Sequence, residues 1–183
     1  MQLSSFSIED ALSNLQIKAL NEMQLASLEA NKASDSVVLL ADTGSGKTLA
    51  FLLPIAQLLD KDSKISQAMI IVSSRELALQ IEQVFKKMGT GFKITCCYGG
   101  HLRETEENNL KQAPAIIVGT PGRLGDHIRR GNIITKNIET VAIGASVITV
   151  DSTIGFAQTG MVISGINSVT YSDKTINQFI GCA

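Results

Sequence analysis

A chain of 183 residues with 16 Lys and Arg against 17 Asp and Glu is about one domain long and nearly neutral, which excludes a strongly basic nucleic-acid tail and argues against an acidic disordered chain. Apolar residues make up 44%, enough for a core, while aromatics reach only 4% with no Trp, which argues against an aromatic base-stacking platform. No apolar run is long enough to span a membrane, the N-terminus MQLSSFSIEDALSNL lacks the basic stretch of a secretory leader, and Cys96, Cys97 and Cys182 have neither disulfide-framework nor metal-ligand spacing, so a cytoplasmic location is expected.

Ser7–Leu15 and Lys18–Ala30 carry apolar residues at helical spacing, the second with Leu20, Met23 and Leu28 on one side. Val37–Leu40 predicts a short buried strand and Thr48–Leu59 the helix that follows it. Ala68–Val72 predicts another strand, then a helix over Glu76–Lys87, then strands at Lys93–Cys97 and Ala115–Val118. The acidic run Glu104–Glu107 reads as a solvated helix face. His101 and His127 stand alone in sequence, and Cys96 and Cys97 read as buried filler. Strands alternating with helices imply an α/β fold, a parallel sheet with helices on both faces.

Composition changes near Thr140. Only three charged side chains, Asp151, Asp173 and Lys174, follow it. Val147–Val150, Met161–Ile163, Val169–Tyr171 and Thr175–Ile180 are short β-prone runs between turn formers such as Gly155, Gly160, Ser164-Gly165 and Ser172-Asp173. The expected division is an α/β domain over 1–140 and a β-rich segment over 141–183, which either completes the sheet or forms a small β module.

The most specific motif is Ala41-Asp42-Thr43-Gly44-Ser45-Gly46-Lys47-Thr48, placed between a predicted strand and a predicted helix as a phosphate-binding loop requires. Gly44 and Gly46 let backbone N–H groups turn toward phosphate oxygens, and the helix N-terminus adds partial positive charge there. Lys47 is placed to reach the β- and γ-phosphates of ATP, and Thr48 to hold Mg²⁺. The first position is Ala41 where the consensus has glycine.

Further segments follow in a fixed order. Gln24 lies 17 residues before Ala41 and Phe6 lies 18 before Gln24. Ser73-Ser74-Arg75-Glu76-Leu77-Ala78 is similar to a P-T-R-E-L-A box, Gly99-Gly100 follows the third strand, and Thr120-Pro121-Gly122-Arg123 follows the fourth. Together these resemble the first RecA-like domain of DEAD-box RNA helicases over about residues 6–140. The resemblance implies that Phe6 stacks on adenine and that the Gln24 amide reads its edge. It also implies that Ser74, Arg75, Gly99, Gly100, Thr120, Pro121, Gly122 and Arg123 grip the backbone of single-stranded RNA. Two departures stand out: Leu20-Asn21-Glu22-Met23 where the family has P-T-x-I, and Ser73-Ser74 where it has Pro-Thr.

After Ile138-Glu139-Thr140 the family pattern continues with a strand ending in Asp-Glu-Ala-Asp, whereas this chain reads Val141-Ala142-Ile143-Gly144-Ala145. No Asp-Glu pair follows Thr140, and the Ser-Ala-Thr motif and a second RecA-like domain are absent from these residues. The resemblance assigns to that pair the Mg²⁺ and the attacking water, and to the second domain the arginines that meet developing charge. The expected function is therefore binding of ATP-Mg²⁺ and single-stranded RNA by a truncated domain, without hydrolysis or unwinding by these residues alone. One alternative is a P-loop enzyme whose Walker B acid is Asp151, at the end of Val147–Val150. Another is a structural module on a nonfunctional helicase fragment, because 141–183 loosely resembles a β module of phage virion proteins, as in a chimera.

Overall fold

The computed structural model describes residues 6–34 and 36–144 and the backbone of short strands within 160–180. In chain order the elements are α1 (Ile8–Asn14), α2 (Glu22–Ala33), β1 (Val37–Leu40), α3 (Lys47–Leu58), β2 (Ala68–Val72), α4 (Arg75–Lys87), β3 (Ile94–Cys97), α5 (Arg103–Lys111), β4 (Ile116–Gly119), α6 (Pro121–Arg129), a 3-10 turn at Thr135–Asn137, β5 (Thr140–Gly144), β6 (Gly160–Ser164), β7 (Asn167–Tyr171), β8 (Asp173–Lys174) and β9 (Phe179–Ile180). The expected strand Val147–Val150, Asp151, Cys182 and most of Thr175–Ile180 lie outside the described residues. Two compact units divide the chain: Met1–Lys18 with Ile55–Ala145, and Ala19–Pro54 with Ser146–Ala183.

The first unit holds a parallel four-stranded sheet of order β3-β4-β2-β5. Cys97 pairs with Gly119 and Gly119 with Ile71, so the neighbouring strands β3, β4 and β2 end level with one another. Alternation along β3 sends neighbouring residues to opposite faces. The Cys96 thiol meets the Ala78 carbonyl of α4 at 3.4 Å. Cys97 packs instead with Met69, Leu110, Ile117, Leu124 and Ile133, where α5 and α6 supply the leucines. Helices therefore cover both faces, as alternating strands and helices predict. On the α4 side Ala78, Ile81 and Phe85 form a buried stripe at helical spacing. The residues 140–144, where the family pattern places its acidic strand, form β5, paired in parallel with β2 from Ala68↔Thr140 to Val72↔Gly144.

In the second unit β1 pairs in parallel with β6, from Val37↔Met161 to Leu40↔Ser164, and β6 pairs antiparallel with β7. Helix α2 begins later than spacing alone predicts, because Asn21 caps it. Its side chain accepts from Gln24 N at 2.9 Å, and Gln24 Oε1 accepts from Asn21 N at 3.0 Å. Pro54 inside α3 has no N–H to give the Ala50 carbonyl. The buried Ser27 hydroxyl takes that place, donating to Ala50 O at 2.8 Å, so the proline leaves no orphaned acceptor.

Candidate nucleotide and nucleic-acid sites

The loop between β1 and α3 turns on two glycines in the left-handed region, Gly44 at φ +83° and Gly46 at φ +90°. Ser45 N closes the turn on Asp42 O at 3.2 Å. Lys47 opens α3 and folds its side chain back across the loop, with Nζ donating to Ala41 O and Asp42 O at 2.6 Å each. Both acceptors are neutral carbonyls, so the ammonium charge stays available to an anion. Ser45 Oγ is buried without a hydrogen-bond partner among the described residues. Asp42, Thr43 and Gly44 are exposed, and Thr48 is half-buried in the first turn of α3, where N–H groups lack intrahelical acceptors.

Helix α2 braces this loop. Asn21 Nδ2 donates to Ser45 O at 2.9 Å, and Gln24 Nε2 donates to Gly46 O at 3.2 Å. Gln24 is 5% exposed, and its amide is engaged at both ends, by Gly46 O and by Asn21 N. A Cβ at Gly46 would lie 2.5 Å from Gln24 Nε2, so any other residue there must displace the Gln24 amide as well as adopt the positive φ. Phe6 is half-buried just ahead of α1, in the other unit.

The residues expected on RNA gather at one edge of the four-stranded sheet. Ser74 and Arg75 follow β2, Gly99 and Gly100 follow β3, and Thr120–Arg123 follow β4, three strands that run parallel and end level. The carboxyl edge of a parallel sheet is where such folds place ligands. Ser74 caps α4, its Oγ accepting from Leu77 N at 3.2 Å. Arg75 is exposed and lies over the Tyr98 ring, 5.6 Å from its centroid. Gly100 takes φ +84° beside it. Thr120 N donates to Cys97 O at 3.0 Å and Pro121 starts α6, with Pro121 and Gly122 exposed. Gly119 is required before them, because a Cβ there would collide with the Cys97 carbonyl.

Arg123 is placed differently. Its side chain is 13% exposed and directed inward. Nε donates to Tyr98 O at 3.1 Å and lies 3.1 Å from Glu106 Oε2 as an ion pair, and Nη2 donates to His101 O at 2.6 Å.

Glu104 and Thr105 are exposed as expected of a solvated face, but Glu106 departs from that reading: its side chain is fully buried. Oε1 accepts from Tyr98 N at 3.1 Å and meets His101 Nδ1 at 3.2 Å, while Oε2 meets His127 Nε2 at 2.8 Å. Asn132 Nδ2 lies 3.1 Å from His127 Nδ1. An amide NH₂ only donates, so the ring proton sits on Nε2 and points at Glu106. The two histidines, isolated in sequence, thus share one carboxyl group. The available signal was helical spacing: Glu106 precedes Leu110 by one turn on α5, as Leu124 precedes His127 on α6. Sulfur of Cys97, a Glu106 oxygen and a His127 nitrogen fall within 4.8 Å of one another. Arg123 already balances that carboxyl group. The Cys97 thiol is pushed up to about 12, by burial first and then by the Glu106 charge, with Arg123 opposing. Both facts describe an ion-pair hub.

A family model described as DEAD/DEAH box helicase matches residues 21–144. The ATP-dependent RNA helicase DeaD of Escherichia coli strain K12 is 43% identical over 97 residues, which cover 51% of this chain and 15% of that protein. DeaD of Haemophilus influenzae is 34% identical over 136 residues, covering 73% of this chain and 22% of that one. DeaD of Mycobacterium tuberculosis strain H37Rv is 35% identical over 124 residues, covering 66% and 22%. These relatives are matched over less than a quarter of their length. The crystal structure of a hypothetical ATP-dependent RNA helicase from Sulfolobus tokodaii superposes with a TM-score of 0.67 at 21% identity, covering 87% of this chain and 57% of that one, a likeness of fold. Among the described residues no helix is long and apolar enough to cross a membrane.

Proposed function

The chain belongs to the DEAD/DEAH box helicase family, and on that premise we propose that it binds ATP with Mg²⁺ at Asp42–Thr48 and the backbone of single-stranded RNA at the carboxyl edge of β2, β3 and β4. The observation that carries the nucleotide reading is the loop itself. It pairs two left-handed glycines with an ammonium that donates to two carbonyls at 2.6 Å each and a buried serine hydroxyl that has no partner among the described residues. That donor set fits a polyphosphate: Lys47 and the loop amides meet the anion, Ser45 Oγ gains a partner, and the Thr48 hydroxyl holds Mg²⁺. The metal neutralises phosphate charge when bound. Gln24 is assigned to the adenine edge. For Gln24 this means that one end of its amide leaves Asn21 N or Gly46 O.

Ser74, Arg75, Gly99, Gly100, Thr120, Pro121 and Gly122 are assigned to the RNA path, with Arg123 beneath them. These contacts grip phosphates and carry no sequence information. Hydrolysis and unwinding are not expected of these 183 residues by themselves, because no Asp-Glu pair follows Thr140; a second RecA-like domain is the expected partner for that work. Titration with a fluorescent ATP analogue tests the first site: Lys47→Ala abolishes binding that the parent chain shows. Tight binding that survives Lys47→Ala refutes the assignment. Gln24→Ala erases a preference for adenine over guanine nucleotides, and an unchanged preference removes Gln24 from the site.

A further inference from the structure

Arg123 and Arg75 lie at the same sheet edge yet are spent in opposite ways. Arg75 is exposed, with its guanidinium over the Tyr98 ring. Arg123 is nearly closed off from solvent, anchored by the buried Glu106, and grips the carbonyls of Tyr98 and His101 from below. Those two carbonyls bracket Gly99 and Gly100. Glu106 also takes the Tyr98 amide, so one carboxyl group and one guanidinium hold both ends of the glycine turn. The Glu106 anchor is itself fixed by His127, whose tautomer Asn132 sets.

Granted the RNA reading above, we propose that Arg123 and Glu106 are positioning residues for RNA: the pair fixes the 98–101 turn in a phosphate-receiving shape without touching phosphate, and Arg75 makes the direct ionic contact. A backbone turn with unpaired glycines must otherwise be ordered when RNA arrives, and that ordering weakens binding.

Salt dependence separates the two roles. Each phosphate contact on single-stranded RNA contributes about −0.7 to the slope of log K against log salt. The probe is a fluorescein-labelled 12-nucleotide oligouridylate, read by anisotropy on the full chain at several salt concentrations. Thermal melts keep each variant below its unfolding transition. Arg75→Gln lowers the magnitude of the slope by about 0.7. Arg123→Gln and Glu106→Gln each weaken binding about three- to tenfold with the slope unchanged. The double variant is no weaker than either single one, because both remove the same clamp. Arg123→Lys, which keeps the charge and loses the planar fork, behaves as Arg123→Gln does.

Two results overturn the proposal. One is a slope reduced by about 0.7 in Arg123→Gln with affinity restored in Arg123→Lys, the signature of a direct phosphate contact. The other is Glu106→Gln with unaltered RNA affinity. Should the parent chain fail to bind the oligonucleotide, the RNA reading itself falls. The clamp is then judged by hydrogen exchange at the Tyr98 amide, which speeds in Glu106→Gln and Arg123→Gln if the pair holds the turn and stays slow if it does not.

Discussion

Replacing Gly46 by alanine separates backbone strain from a lost brace, with Gly44 as the internal control. Both glycines have positive φ, +83° and +90°, so alanine at either pays the left-handed penalty of about 1–2 kcal/mol. At Gly44 nothing lies within 4 Å of the added Cβ, and that penalty is the whole effect. At Gly46 the Cβ meets Gln24 Nε2 at 2.5 Å and must drive it off Gly46 O. The Gln24 amide is the far end of a side chain, but Gln24 as a whole is only 5% exposed, so displacing it moves a largely buried residue. Displacing it loses about 1 kcal/mol for that hydrogen bond and loosens the capping box held by Gln24 Oε1. Gly46→Ala is therefore expected to cost about 2–4 kcal/mol and Gly44→Ala about 1–2 kcal/mol, measured by urea unfolding. In a Gln24→Ala background the collision disappears, and Gly46→Ala falls to the cost of Gly44→Ala, a coupling of about 1–2 kcal/mol. Equal costs for the two glycines in the parent chain, or zero coupling, would refute the brace between α2 and the loop.

Two further outcomes follow from burial and pairing. Cys96 and Cys97 are both pushed from 9.0 up to about 12, by burial first and then by the charges of Glu82 and Glu106 respectively. A raised folded value means that their contribution is complete below about pH 9 and declines as pH climbs from 9 toward 12. The decline is at most about 1.4 kcal/mol per pH unit for each thiol. Cys97→Ala is expected to flatten the alkaline limb of stability in urea melts across that window, and an unchanged limb contradicts the buried-thiol account. A chain ended after Gly144 lacks β6, which pairs with β1 over Val37–Leu40, so it is expected to expose a strand edge, aggregate and melt earlier. A truncated chain that stays monomeric with an undiminished melting temperature would show that this pairing is dispensable.

Local information made most of the scaffold legible. The segments Val37–Leu40, Ala68–Val72, Lys93–Cys97 and Ala115–Val118 became β1 to β4 within a residue or so, because runs of β-branched and apolar residues favour strands; the expected burial held for β2 and β4, while in β1 only Val38 is buried and Leu40 is 41% exposed. The glycine turn between β1 and α3 was legible for the same reason: Gly44, Gly46, Lys47 and the flanking strand and helix are adjacent in the chain. Strand order was not legible, since pairing β1 with β6 joins residues 37–40 to 161–164 and no local pattern encodes that partner. Nor was the Glu106 hub, whose partners come from two separate segments, Tyr98 and His101 from the turn after β3 and Arg123 and His127 from α6.

Residue order by itself therefore determined where the backbone turns through left-handed glycines and which segments are apolar enough to bury, because φ freedom, charge and hydropathy are properties of single residues and their near neighbours. Tertiary structure alone decided that an acidic residue from a charged run is fully buried and that one arginine of the expected RNA set points inward. Burial and ion pairing depend on which distant groups the fold places within a few ångströms, and there the carboxyl group of Glu106 found an arginine, two ring nitrogens and a backbone amide.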